Sequence, residues 1–157
     1  MYESMFSKGL IDLKNKSASP NELFDSVASV AHEKGYASQD YEKGLEDRES
    51  KFPTGLIFPS LTLALPHVDP EFIVKPFIYV VRTDTALAWK QMGDMKPMST
   101  RNFLFLGIKE PSKQVGLLAQ IMAAFKEQSF VDSFLRTVDT NKMYSLLTDQ
   151  FTKISMN

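Results

Sequence analysis

Two histidines occur in this 157-residue chain, and His67 is the one placed where chemistry can happen. It closes residues 52–68, FPTGLIFPSLTLALPHV, behind the alternating Leu61, Leu63 and Leu65 and the single Pro66. Alternation of that kind marks a strand, and proline ends it, so the imidazole arrives at a strand end where a loop begins. An ordinary loop histidine fits the same position. An imidazole so placed can serve as general base, metal ligand or nucleophile. A metal site is poorly supplied. His32 lies in a separate helical stretch, there is no His-x-x-x-His or His/carboxylate cluster, and zero cysteines remove thiolate ligands. No G-x-S-x-G elbow accompanies His67, and neither a P-loop nor a dinucleotide-type glycine loop is present. A hydrolase using His67 as general base lacks a partnered nucleophile. His32 itself reads as a helix-face histidine near a helix C-terminus.

Phosphoryl transfer through a phosphohistidine needs only one histidine. A neutral ring nitrogen attacks phosphorus in line, and the protein supplies position and charge stabilisation. Such a site needs a cation for the equatorial oxygens. Arg48 follows Tyr41 by seven residues and Leu45 by three, which puts it on the apolar side of its helix. Two readings stand: a side chain snorkelling to water over an apolar stem, or a guanidinium aimed at an anion in a cleft. The Thr54 hydroxyl and nearby backbone N–H groups are neutral donors within the same stretch. Asp69 and Glu71 follow His67 closely and read as solvated loop charges, because a carboxylate repels a phosphoryl dianion.

The elements that must position these groups follow from the pattern. Ser19-Pro20-Asn21-Glu22 is a capping box with proline at the first helical position, and Leu23, Val27, Val30 and Ala31 continue it as one apolar stripe up to Gly35. A second helix is expected over about 38–51. Leu10, Ile11 and Leu13 suggest a short strand. After residue 52, prolines and glycines break the chain into small strands. Residues 72–83 are the strongest strand, with Pro76 implying an edge or a bulge. A further strand is expected at 85–89, a loop at 91–99, and a strand buried on both faces at 102–108. Three helices complete the chain: one carrying Val115, Leu118, Met122 and Phe125, one starting near Ser129, and one capped by Asp139. Helices, then strands, then helices predict a sheet with helices on both faces.

Composition narrows the class. The length suits one domain spanning 1–157, with twelve Phe and eight Met to fill its core. Eighteen basic against nineteen acidic residues leave no basic stripe for nucleic-acid phosphates, and no Lys/Arg-rich amphipathic segment for a membrane surface. The start, MYESMFSKGL, has no signal-like apolar stretch, and no apolar run approaches the length of a membrane span, so a cytoplasmic protein is expected.

Residues 48–67, RESKFPTGLIFPSLTLALPH, resemble the active-site stretch of fructose/mannitol-type enzyme IIA domains of the sugar phosphotransferase system. Arg48-Glu49 matches that family's Arg-Glu pair, Thr54-Gly55-Leu56 its Thr-Gly step, and Ala64-Leu65-Pro66-His67 its final (Ala/Val)-(Ile/Leu)-Pro-His. The Phe52-Pro53-Thr54-Gly55-Leu56 variant is most similar to the galactitol-type branch, and length and element order extend the resemblance to about 8–152. It implies a mixed α/β sheet of about five strands flanked by helices. It implies that His67 takes a phosphoryl group from the phosphocarrier HPr and passes it to a cysteine of a cognate enzyme IIB. Arg48 and Thr54 would hold the phosphate, and no metal or organic cofactor would be needed. Members with a regulatory role keep the same fold, so a module sensing phosphorylation state without feeding a transporter is the alternative. Two departures stand out. Pro59-Ser60 and Val68-Asp69 replace the family's glycine-containing loops. Gln114 takes the place where mannitol-like members carry a second histidine; it is either an amide donor to the phosphate or a plain first-turn helix residue.

Overall fold

The computed structural model describes residues 2–156. The elements run β1 (Phe6–Asn15), α1 (Pro20–Glu33), α2 (Tyr41–Lys51), β2 (Gly55–Ile57), β3 (Thr62–Ala64), β4 (Phe77–Lys90), β5 (Pro97–Gly107), α3 (Gln114–Lys126), α4 (Gln128–Arg136) and α5 (Thr140–Met156). Local signals account for several ends. The Ser19 hydroxyl accepts the Glu22 N–H at 3.2 Å, while the Glu22 carboxylate reaches back to the Ala18 N–H at 3.4 Å and starts α1. Gly35 lies just beyond α1 at φ 82°, a conformation only glycine takes without strain. The Asp139 carboxylate accepts the Asn141 N–H at 2.9 Å ahead of α5.

The five strands form one mixed sheet in the order β1-β4-β5-β3-β2. β1 is parallel to β4, β4 antiparallel to β5, β5 parallel to β3, and β3 antiparallel to β2. Strand alternation divides the core between the two faces. Phe77, Tyr79, Val81, Phe103 and Phe105 pack with α1 and α2, whereas Ile78, Val80, Leu104 and Leu106 pack with α3, α4 and α5. Helices therefore cover both faces, as the element order predicts. Among the described residues no helix is long and apolar enough to cross a membrane.

The strands depart from expectation in three places. Residues 72–83 and 85–89 are not two strands. Residues 77–83 and 85–89 belong to β4, which continues through a register shift between Arg82 and Leu87, whereas residues 72–76 lie ahead of the strand, with Phe72 ending a short 3-10 turn. The exposed Asp84, Thr85 and Ala86 look like a break in sequence, yet the chain stays extended across the bulge. Pro76 sits one residue ahead of β4, which is an interior strand paired on both sides, so the missing N–H costs the ladder nothing. The expected loop at 91–99 contracts to a tight connection, with Gly93 and Met95 at positive φ, because β5 already begins at Pro97. β1 is longer than Leu10–Leu13 alone suggests; as an edge strand it tolerates the exposed Lys8 and Lys14.

Candidate functional site

β3 and β5 run parallel, so their C-terminal ends meet at one edge of the sheet. The pairing continues past β3: the Leu106 N–H donates to Pro66 O at 3.0 Å, and His67 bridges Leu106. Backbone bonds thus hold His67 against the end of β5. Its ring is buried, with 7% of the residue exposed. Nδ1 lies 2.7 Å from Leu65 O, and a carbonyl only accepts, so Nδ1 carries the hydrogen. In the neutral ring the lone pair is then on Nε2. Burial pushes the His67 pKa below its usual 6.5; the Arg48 charge acts the same way, against the opposing pull of Leu65 O and Asp69. Burial and the Arg48 charge thus favour the neutral ring.

Arg48 rises from α2 toward the same loop. One Nη donates to Asp69 Oδ1 at 2.9 Å, and the guanidinium lies 5.2 Å from the centre of the Phe52 ring. Its Nε is buried without a hydrogen-bond partner. The side chain is 32% exposed, with its head turned to the segment that follows His67. Asp69, expected as a solvated loop charge, is the partner of this guanidinium and is still largely exposed. A groove of about 400 Å³ opens here, lined by Gly44, Arg48, Lys51, Phe52, Asp69 and Phe72.

Thr54 does something other than expected. Only 2% of it is exposed, and its hydroxyl donates to the Glu49 carboxylate at 3.0 Å, leaving no hydrogen for a phosphoryl oxygen. The same oxygen accepts the Leu65 N–H at 3.2 Å. Leu65 O in turn accepts from His67 Nδ1. Glu49 also accepts the Thr54 N–H at 2.6 Å and Trp89 Nε1–H at 2.9 Å. A chain of hydrogen bonds therefore runs from the indole of β4 through Glu49, Thr54 and the Leu65 peptide to the His67 ring. Burial raises the Glu49 pKa above the usual carboxyl value, and these donors pull it back down.

Gly55 is fixed by sterics. A Cβ there would lie 2.3 Å from Met98 Sδ and 2.5 Å from Lys90 O. Gly55→Ala is expected to cost about 1–3 kcal/mol by forcing β2 away from the end of β4. A urea unfolding midpoint that drops with an unchanged slope is the measurement that checks it.

Gln114 opens α3, seven residues beyond the end of β5. It is half-buried, its N–H donates to Pro111 O, and its side chain makes no hydrogen bond to His67 or Arg48. The structure thus unites His67, Arg48 and Thr54 in one constellation and leaves Gln114 outside its hydrogen bonds. His32 is exposed, with Nδ1 3.1 Å from Ala37 O, as a helix-face histidine should be. Among the described residues no group of three or more His, Asp or Glu can hold a metal ion. Sequence reasoning missed the roles of Glu49 and Trp89. The adjacency of Glu49 to Arg48 is a usable signal, since consecutive helical residues point to different surroundings; nothing local links Trp89 to residue 49.

A helix-flanked mixed sheet with one buried histidine at a parallel strand end, near an arginine from the second helix, defines the class of α/β protein to which this chain belongs. The chain belongs to the family described as phosphoenolpyruvate-dependent sugar phosphotransferase system, EIIA 2, whose model matches residues 4–150. Phosphoryl carriage in a sugar phosphotransferase system is the role that membership brings. The chain is 22% identical over 133 residues to the galactitol-specific EIIA component of Escherichia coli strain K12, covering 85% of each. Its fold matches enzyme IIAMTL of Escherichia coli, solved in complex with phosphorylated enzyme IIBMTL, at a TM-score of 0.71, 17% identity and coverage of 92% of this chain and 99% of that one. It matches nitrogen regulatory protein IIA-Ntr from Neisseria meningitidis at a TM-score of 0.72, 19% identity and coverage of 92% and 97%.

Proposed function

We propose that His67 is the phosphoryl carrier, taking the group from HPr onto Nε2 and handing it to a cysteine of an enzyme IIB in the cytoplasm. The carrying observation is the Nδ1–H bond to Leu65 O, which fixes the tautomer and leaves Nε2 with its lone pair. As the Nε2–P bond forms, the bond from phosphorus to the donor breaks and its electron pair leaves with HPr. In the second transfer the thiolate of enzyme IIB attacks phosphorus, and the Nε2–P electron pair returns to the ring. Arg48 stabilises the equatorial oxygens in both steps; the incoming phosphoryl group competes with Asp69 for its Nη groups and offers its orphan Nε an acceptor. Thr54 acts as a positioning residue. The half-buried Gln114, at the first turn of α3, offers an amide to a phosphoryl oxygen once a partner docks. Likeness to a galactitol-specific EIIA component supports a polyol or related sugar as the transported substrate.

The test is phosphorylation with phosphoenolpyruvate, enzyme I and HPr, read by phosphorus and nitrogen NMR. Label on Nε2 of His67 is expected. Label on Nδ1, or on another residue, would sink this reading. Binding to HPr or enzyme IIB with no label at all would turn the chain into a regulatory module instead.

The lowered His67 pKa sets the pH dependence. Protonation removes the attacking lone pair, so uptake fails only as pH falls through a pKa below 6.5. Uptake is expected to stay level from neutral pH down past that value and then decline. NMR titration of the ring carbons, compared with those of His32, checks the midpoint; a His67 midpoint at or above 6.5 contradicts the burial argument.

A further inference from the structure

The β4 bulge lies away from His67, and the proposed transfer makes no use of it. Between the Arg82–Asn102 and Leu87–Thr100 pairs, four residues of β4 face the single Arg101 of β5. The bulge carbonyl of Thr83 accepts Arg101 Nε–H at 2.9 Å, while the two Nη groups of Arg101 make no hydrogen bond among the described residues. Next to it Arg82 is buried, 8% exposed, with its Nη groups donating to Thr137 O at 2.7 Å and Phe134 O at 2.6 Å. These are carbonyls at the end of α4, so Arg82 also caps that helix. A groove of about 590 Å³ opens over both arginines and Lys14, within the size range of small-molecule sites. Thr62, Thr100 and Asn102 add polar groups, and Leu135 and Val138 form an apolar rim.

Charge is what makes this groove unusual. No Asp or Glu lines it, and none of Lys14, Arg82 and Arg101 forms an ion pair among the described residues. Burial depresses the Arg82 pKa, and the Arg101 charge adds to it, as expected of a like charge without a counter-ion. Capping α4 explains Arg82 but gives no task to Arg101 or Lys14. We propose that this groove is a second anion site, taking a small molecule that ends in a phosphate dianion. The Arg101 Nη groups and the Lys14 ammonium, backed by the charge of Arg82, whose own Nη groups are committed to Phe134 O and Thr137 O, are the donor set such a group accepts. The site lies roughly 13 Å from His67, counting four β5 residues from Asn102 to Leu106 at strand rise. The Asn102 side-chain amide donates to Thr62 O at 3.1 Å, so its floor is continuous with β3, the strand that leads to His67.

Amide NMR titration of the full chain tests the proposal, with inorganic phosphate and then glycerol 3-phosphate at fixed ionic strength, and chloride as control. It is run on the unmodified protein and on Arg48→Gln, so that anion binding beside Arg48 is told apart. Saturating shifts are expected at Thr83, Arg101 and Asn102 with both phosphates in both proteins, and not with chloride. Arg101→Gln with Lys14→Gln should weaken that binding at least about tenfold, as loss of charged hydrogen bonds does. Shifts that fail to saturate, match those of chloride, survive the double substitution or appear only around Arg48 would each overturn the assignment.

Discussion

Replacing His67 with alanine is expected to abolish phosphoryl uptake from HPr completely, with no residual label above background. No other side chain can take over. Cysteine is absent, and the exposed His32 lies near the end of α1, on a different element from Arg48 and from the loop that carries His67. The variant should still fold, because the backbone bond from Leu106 N–H to Pro66 O, not the ring, joins this segment to β5. Losing a mostly buried ring is expected to cost about 1–3 kcal/mol, in the usual range for a single substitution. Arg48→Gln separates nucleophile from charge. It should accept label on His67, but about 10²–10³-fold more slowly, the usual cost of removing one preorganised donor to a developing anion. Radiolabel uptake followed on gels, with circular dichroism of each variant, gives both readouts. Full labelling of His67→Ala, or an Arg48→Gln rate equal to that of the unmodified chain, would refute the assigned roles.

The sequence makes the nucleophile legible because so little competes with it. With two histidines, no cysteine and no ligand cluster, His67 stands out by elimination as the candidate, whereas the placement of Arg48 on the apolar side of its helix leaves snorkelling and an inward guanidinium both open. The capping box at Ser19 and the stop at Gly35 are equally readable, since each is a bond or a conformation within a few residues. Thr54 shows the limit. Its type and position suggest a donor to phosphate, yet its hydrogen goes to Glu49, and the destination of a hydroxyl hydrogen depends on which acceptor packing brings near. The Trp89 bond to Glu49 spans 40 residues and depends on β4 lying across the end of α2, which no local pattern encodes. The β4 bulge hides for a related reason: Asp84, Thr85 and Ala86 have the composition of a turn, and only the β5 ladder on either side of them, at Arg82 and again from Leu87, carries the strand across.

Glu49→Ala should be the most damaging change that leaves both His67 and Arg48 in place. Three donors lose their acceptor at once: the Thr54 N–H, the Thr54 hydroxyl and Trp89 Nε1–H. A buried donor left unpaired costs about 1–3 kcal/mol. A groove of about 340 Å³ borders Glu49 and Trp89 and can admit water to re-pair some of them. The net loss is therefore expected at about 2–4 kcal/mol rather than the full sum. The effect should also reach the chemistry. With the Thr54 hydroxyl untethered, the Leu65 N–H keeps only its 3.3 Å backbone bond to Thr54 O, so the Leu65 backbone is held less tightly, and Leu65 O is the group that holds the His67 tautomer. Glu49→Gln distinguishes the two consequences. Its amide oxygen can still accept from Trp89 and the Thr54 N–H, and the Thr54 oxygen can turn to accept the new amide N–H while keeping Leu65 N–H. Stability should then fall by only about 1 kcal/mol, since the hydroxyl hydrogen alone goes unpaired. Phosphoryl uptake by folded protein should order as unmodified, then Gln, then Ala. The NMR signature should follow: as the Leu65 bond loosens, the His67 ring should show a growing fraction of the tautomer with hydrogen on Nε2. If Glu49→Ala loses stability while its folded fraction keeps both the tautomer and the uptake rate of the unmodified chain, Glu49 supports the sheet and does not orient the nucleophile.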